Sequence, residues 1–229
     1  DKAQKAYLNF KRKADPKEVI ELNIIRLIEN CINGKKLMNK QLNMETLSKT
    51  PIFIDKLPKD YPNELTSNKL LKKTKFFISP IDDKKKEDLL MFKTEQNEMI
   101  QASYGVEKGD NLDLYVNKLI GADKWGIPAS LGENINTTYD ENYAYVTLDG
   151  RTMYFSSKGH QNMGGYDVFK TVFENGIWNE PENLKYPINT VDDELSYTIV
   201  GSGKVAYYTS YSDKGKGSTD IFKVVLKAP

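Results

Sequence analysis

The chain has 229 residues, 39% of them apolar and 28% charged, with 33 basic against 32 acidic side chains and a single histidine. That length supports a substantial core in one or two domains, while a net charge of +1 leaves no surplus of cations to neutralise the phosphates that nonspecific nucleic-acid binding requires. One cysteine, Cys31, excludes an intrachain disulfide, and no window approaches the roughly twenty apolar residues of a membrane-spanning helix.

Residues 1–14 are rich in Ala and Lys and carry Tyr7, Leu8 and Phe10, which suits a helix with a modest apolar stripe. Asp15-Pro16 predicts a second start, an N-cap aspartate with proline at the first helical position. From there Ile20, Ile24, Leu27, Ile28 and Cys31 recur at helical spacing, Val19, Leu22, Ile25 and Ile32 widen the stripe, and Gly34 is expected to end it. Cys31 on that face reads as a small core residue rather than a nucleophile, because no histidine lies nearby in sequence. A domain boundary is expected near Asn39, dividing a helical segment, 1–39, from the remainder, 40–229. The clusters Lys72-Lys73 with Lys75 and Lys84 to Lys86 are expected to be solvated, the second of them in a charged loop over 80–86.

The stretch 140–169, DENYAYVTLDGRTMYFSSKGHQNMGGYDVF, is the unit around which the rest of the chain is organised. Tyr143, Tyr145 and Thr147 alternate with Ala144, Val146 and Leu148, Asp149-Gly150 predicts a hairpin turn, and a Gly-rich loop leads to a third strand. The unit recurs without gaps 53 residues on. Trp125, Pro128, Leu131, Ile135-Asn136-Thr137 and Asp140-Glu141 meet Trp178, Pro181, Leu184, Ile188-Asn189-Thr190 and Asp193-Glu194. An upstream copy lies at an offset of 54, where Ser103, Gly105, Asp113 and Tyr115 meet Ser157, Gly159, Asp167 and Phe169. A half copy containing Glu64, Leu71, Phe77 and Ser79 precedes it. Sheets of about fifty residues cannot bury both faces alone, and repetition about an axis is the usual solution. The expected fold is therefore mainly β, a small or incomplete β-propeller of about four blades, one degenerate, behind an N-terminal helical hairpin. Residues 50–57, TPIFIDKL, are expected to complete the last blade by pairing with its third strand.

The run YFSSKGHQNMGGYDVF, with W-x-x-P-x-x-L, INT and DE at these positions, resembles the PD40 or WD40-like repeats related to the TolB propeller, found in OmpA-family proteins of Bacteroidetes-type bacteria. The segment IENCINGKKLMNK resembles the end of the tetratricopeptide helices that precede such propellers. The resemblance implies a periplasmic or outer-membrane-associated scaffold serving outer-membrane assembly, type IX secretion or gliding, with envelope proteins as partners. The OmpA-like domain of that family is not in this sequence, so no peptidoglycan-binding residue is carried over.

Two constellations invite a chemical reading. The loop 158–165 holds the only histidine, and Gly159, His160, Gln161, Asn162 and Met163, with Tyr166 beyond, are the candidate partner contacts. One imidazole without cysteines or a second histidine is not a zinc ligand set, and Gly159, Gly164 and Gly165 are expected to serve backbone positions with positive φ. The repeated acids Asp140, Glu141, Asp167, Asp193, Glu194 and Asp220 are expected on one face, where carboxylates from several units could converge on Ca²⁺. The plainer reading has each acid accepting local backbone N–H groups. Repeated aromatics such as Tyr154, Tyr207, Trp125 and Trp178 are expected between blades. With no G-x-S-x-G, H-E-x-x-H or P-loop, the leading expectation is a noncatalytic scaffold without a cofactor. The alternatives are a propeller that binds a glycan, a peptidoglycan fragment or Ca²⁺, and an accessory domain of a hydrolase.

Overall fold

The computed structural model describes residues 2–39, 42–52, 70–87, 89–106, 110–200, 203–211 and 219–227. The described residues are mainly β, 42% strand and 20% helix, with curled antiparallel sheets. At the N-terminal side are α1 (Lys2–Lys13), α2 (Pro16–Glu21) and α3 (Ile24–Met38). Asp15 caps α2 as expected, its carboxylate accepting the Lys17 N–H at 2.8 Å. The long predicted helix is broken after Leu22, where Asn23 takes a left-handed φ of 48°. The break turns Val19, Ile24 and Ile28 inward against Tyr7, Ala14 and Leu27 and leaves Ile20, Leu22 and Ile25 exposed. Gly34 does not end α3, which continues to Met38 with Gly34 buried. Its lack of a side chain serves a close approach: an added Cβ would lie 3.1 Å from Met163 Cβ.

The strands of the described residues make three sheets. In the first, β2 (Leu70–Lys72), β3 (Leu90–Lys93), β4 (Glu98–Ser103), β5 (Asp113–Gly121) and β6 (Lys124–Trp125) follow in order, and β7 (Ala129–Ser130) also pairs with β5. The second repeats this plan with β8 (Glu141–Val146), β9 (Thr152–Ser157), β10 (Asp167–Glu174) and β11 (Ile177–Trp178), while β12 (Glu182–Asn183) pairs with β10. In the third, β13 (Glu194–Val200), β14 (Val205–Tyr211) and β15 (Thr219–Leu226) are completed by an early strand, β1 (Met44–Ile52). That strand starts earlier than expected. It nevertheless pairs antiparallel with β15, Thr50 opposite Ile221 and Ile52 opposite Thr219, and 53–57 lie outside the described residues. The half copy makes no sheet of its own among the described residues: its Leu71 lies in β2, opposite Met91 of β3 in the first sheet, while Glu64 is outside them.

Each pair of sheets shares an apolar cluster. Phe92, Ile100 and Leu114 of the first meet Val146, Met153 and Phe155 of the second. Tyr154 and Val168 of the second meet Tyr197, Tyr208 and Val224 of the third. Tyr207, Ile221 and Ile52 of the third meet Leu90 of the first, with Tyr143 packed beside them. Tyr154 and Tyr207 therefore pack between sheets, as their recurrence implies.

The charged stretch 80–86 is not a loop. It forms α4 (Pro80–Lys85), started by a capping box in which the Ser79 hydroxyl accepts the Asp82 N–H and the Asp82 carboxylate accepts the Ser79 N–H. Nor is Lys73 solvated. Its ammonium lies 2.7 Å from Asp82, each side chain only 2% exposed, and also donates to the Ala102 carbonyl. Asp82 further accepts from the Ser103 hydroxyl and the Tyr104 N–H. Burial pushes the Asp82 carboxyl up, but the Lys73 ammonium and the Ser79 and Tyr104 N–H groups leave it below the ordinary carboxylate range. Removing one member of a buried pair strands the other charge. Asp82→Ala is expected to lower the unfolding free energy by about 3–5 kcal/mol in a urea titration, and the neighbouring exposed change Asp83→Ala to alter it by less than about 0.5 kcal/mol.

Candidate functional site

The loop between β9 and β10 does not face open solvent; α3 lies on it. Arg26, Asn30 and Gly34 recur every fourth residue and share one side of that helix. Arg26 Nη2 lies 2.5 Å from the Lys158 carbonyl, 2.8 Å from that of Gly159, 3.2 Å from that of His160 and 2.7 Å from Asn162 Oδ1. One NH₂ group has two hydrogens, so these four acceptors share them. The guanidinium also stacks 4.8 Å from the centre of the Tyr139 ring. One turn on, Asn30 Nδ2 donates to the Gly164 carbonyl at 2.8 Å, and a further turn on Gly34 admits Met163.

Of the expected partner contacts, Gly159, Asn162, Met163 and Tyr166 are buried, His160 is half-buried and Gln161 is exposed. Asn162 holds the loop together, donating to the Lys158 and Gly165 carbonyls while accepting from Arg26. His160 packs its ring 5.9 Å from Phe155 and 5.1 Å from Phe169. Its Nε2 lies 3.0 Å from the Ile135 carbonyl, an acceptor only, so Nε2 carries the hydrogen. Burial lowers its pKa below the ordinary histidine value. The loop glycines do not take positive φ. They are required by contact instead: a Cβ on Gly159 would fall 2.1 Å from Thr137 Oγ1 and one on Gly165 2.0 Å from Asp193 Oδ1.

The repeated acids are engaged by the chain's own donors, in one pattern used twice. Glu141 Oε2 accepts the Thr137 N–H at 2.8 Å, and Oε1 accepts the Thr137 and Ser157 hydroxyls at 2.8 and 2.6 Å. Glu194 does the same with the Thr190 N–H and the Thr190 and Ser210 hydroxyls. Asp140 accepts the Leu112 N–H while the Glu141 N–H donates to the Leu112 carbonyl. Asp193 accepts the Tyr166 N–H while the Glu194 N–H donates to the Tyr166 carbonyl. Two residues along, Asn136 brackets Leu114, and Asn189 brackets Val168, each amide accepting the N–H and donating to the C=O. The motifs INT and DE thus join each sheet to the one before it.

Asp167 accepts from the Met163 N–H and the Asn183 amide, and Asp220 pairs with Lys49 at 2.9 Å. Among the described residues no three His, Cys, Asp or Glu side chains are grouped to hold a metal ion. No family model matches the chain, and no match is found among curated proteins.

Among the clefts that the described residues leave open, two are lined largely by apolar side chains. One of about 670 Å³ lies at the hairpin ends of the first two sheets, against Gln96, Leu131, Phe173 and Trp178. The other, about 520 Å³, lies on the first sheet between Phe76, Gln101, Tyr115, Trp125 and Ile127. Neither is legible as a site in the sequence. The helix contact has a signal, Arg26, Asn30 and Gly34 at a spacing of four along α3.

Arg26→Ala would leave the Gly159 and His160 carbonyls without this donor, and is expected to cost about 1–3 kcal/mol and to raise amide hydrogen exchange along α3; Arg26→Lys, lacking the planar fork, should recover only part. The buried glutamates make stability depend on pH. Burial raises Glu141 to about 7 and Glu194 to about 8. The native state thus holds these protons more tightly than the unfolded chain, so their contribution is full below about pH 4.5 and is lost as pH rises to about 8. Glu194→Gln cannot ionise. Relative to the native protein it should gain stability between about pH 5 and pH 9 in parallel urea titrations, and a constant difference would refute the assignment.

Proposed function

We propose that this chain is a noncatalytic interaction module of the cell envelope, a small β-propeller with a helical segment fixed to it. The propeller reading is supported by the apolar clusters that join the sheets in all three pairings, by the twice-used linkage of INT and DE, and by β1 completing the last sheet. The envelope setting, and a link to outer-membrane assembly, type IX secretion or gliding, rest on the resemblance of the repeats to PD40-type propellers.

One observation carries the interaction reading. Ile20, Leu22, Ile25 and Ile32 on and between α2 and α3 are 75%, 56%, 49% and 37% exposed, although α3 is held in place by Arg26 and Asn30 on another side. Exposed apolar side chains on a fixed element are what a protein partner covers. This moves the expected contact from the loop 158–165 to the outer side of the helices. The internal engagement of Asp140, Glu141, Asp193 and Glu194 favours the scaffold over the Ca²⁺-binding alternative, which predicts a higher melting temperature on adding CaCl₂.

The test is a pull-down from envelope extract with the chain as bait. A stoichiometric partner should be retained by the native protein and by Gln161→Ala, and lost with Ile20→Asp/Ile25→Asp, whose circular dichroism should be unchanged because both side chains are already in water. Equal retention by the charged variant would refute this face as the contact.

A further inference from the structure

The repeats provide an internal comparison that singles out the cleft on the first sheet. Gln101 and Tyr115 are directly opposed on β4 and β5. Their counterparts 54 residues on are Phe155 and Phe169, opposed in the same register on β9 and β10. In the second sheet the space over that pair is filled by the chain itself, with the His160 imidazole lying against both rings and its Nε2–H directed to the Ile135 carbonyl. The residue at that place in the first sheet is Val106. It is 70% exposed, and the cleft of about 520 Å³ lies over Gln101 and Tyr115 instead.

The walls of this cleft are aromatic and apolar, with Phe76, Phe77, Trp125 and Ile127 around it. Phe76 and Ile127 are 63% and 90% exposed. Within it is a polar group without a partner. Gln101 is 3% exposed, its Nε2 donates to Asn117 Oδ1 at 2.6 Å, and the Asn117 amide donates in turn to the Gly126 carbonyl. That chain of donors fixes the orientation of both amides and leaves the buried Gln101 Oε1 accepting nothing. A buried acceptor without a donor is costly, and the donor that fits an aromatic-walled cleft is a ring N–H.

We propose that this cleft receives the indole of a tryptophan side chain from a protein partner, its ring over Tyr115 and between Phe76 and Trp125, displacing the side chains that cover Gln101 Oε1 in the free protein and donating its N–H to that oxygen. The second sheet shows the same solution delivered in cis, a flat nitrogen ring carried in by a side chain. Indole is chosen over imidazole because the cleft of about 520 Å³ has mainly aromatic and apolar walls, so a larger apolar ring with one donor gains most from it. The site is separate from the helix face, and either can fail without the other.

N-acetyltryptophanamide and its 1-methyl derivative, which has the same ring without the N–H, test the inference on the intact chain by NMR titration at millimolar concentration. The native protein should show saturable shifts with the first and bind the second about tenfold more weakly. In Gln101→Leu the two probes should bind alike. Val106→His, which supplies the ring in cis, should abolish binding, and Ile127→Asp, a change at an exposed position that folding tolerates, should weaken it. No saturable binding by the native protein, equal binding of the two probes to it, or unchanged affinity in both Val106→His and Ile127→Asp would overturn the assignment.

Discussion

The sheets are held to one another by side chains that substitute for backbone partners. At the start of β10, Val168 and Tyr166 present N–H and C=O groups toward the segment that leads to the third sheet, where the Leu184 N–H reaches only the Val168 carbonyl. Asn189 satisfies both groups of Val168, and Asp193 with the Glu194 N–H satisfies both groups of Tyr166. Asn136, Asp140 and Glu141 do the same for Leu114 and Leu112. Each bond is worth on the order of 1 kcal/mol when made and more when a buried partner is left without it. Between these anchors the fully buried Ile135 and Ile188 add apolar area, so the linkage joins a polar clamp to a greasy pin. The arrangement of the sheets is set by where these clamps fall.

The same logic explains the first sheet, where the motif is absent from the sequence but its chemistry is retained. Ser157 and Ser210 each donate to a buried glutamate. Ser103, at the equivalent end of β4, donates to Asp82, an acid supplied by α4 rather than by a DE pair. A shorter side chain reaching from a different backbone position meets the same serine, and Lys73 neutralises it. The carboxylate at the end of the second strand is thus the shared physical requirement of the three units of this chain, and its source in sequence is free to vary.

This difference also sets how much of the fold and the site is legible in the sequence. The clamps are legible because a hydrogen bond made the same way in successive units leaves the same residue type at a fixed offset. Contacts made once leave no such trace. Lys73 and Asp82 look like members of solvated charge runs, since nothing local distinguishes a buried ammonium from an exposed one. The break at Asn23 uses a left-handed residue that is not glycine, and so lacks the usual signal. Gly34 carries a real signal with two possible causes, because a glycine near the end of an apolar run suits both a helix stop and a close crossing. The loop glycines 159 and 165 are ambiguous in the same way, between backbone conformation and contact.

Repetition also makes departures informative. Where the second and third units agree, the residue serves the shared architecture, and the acids, the bracketing asparagines and the interleaved tyrosines belong to that class. Where one unit differs and the difference is compensated within the chain, as with Asp82 for the glutamates, the architecture is again sufficient explanation. The remaining cases are departures without compensation. At the Gln101–Tyr115 pair the floor has become polar on one side, the covering ring has been replaced by an exposed valine, and a buried carbonyl oxygen is left unmet. Burying an amide where its sister unit buries phenylalanine destabilises the isolated chain. The proposed ring from a partner would meet that oxygen, and would give the first sheet a role its repeats do not share.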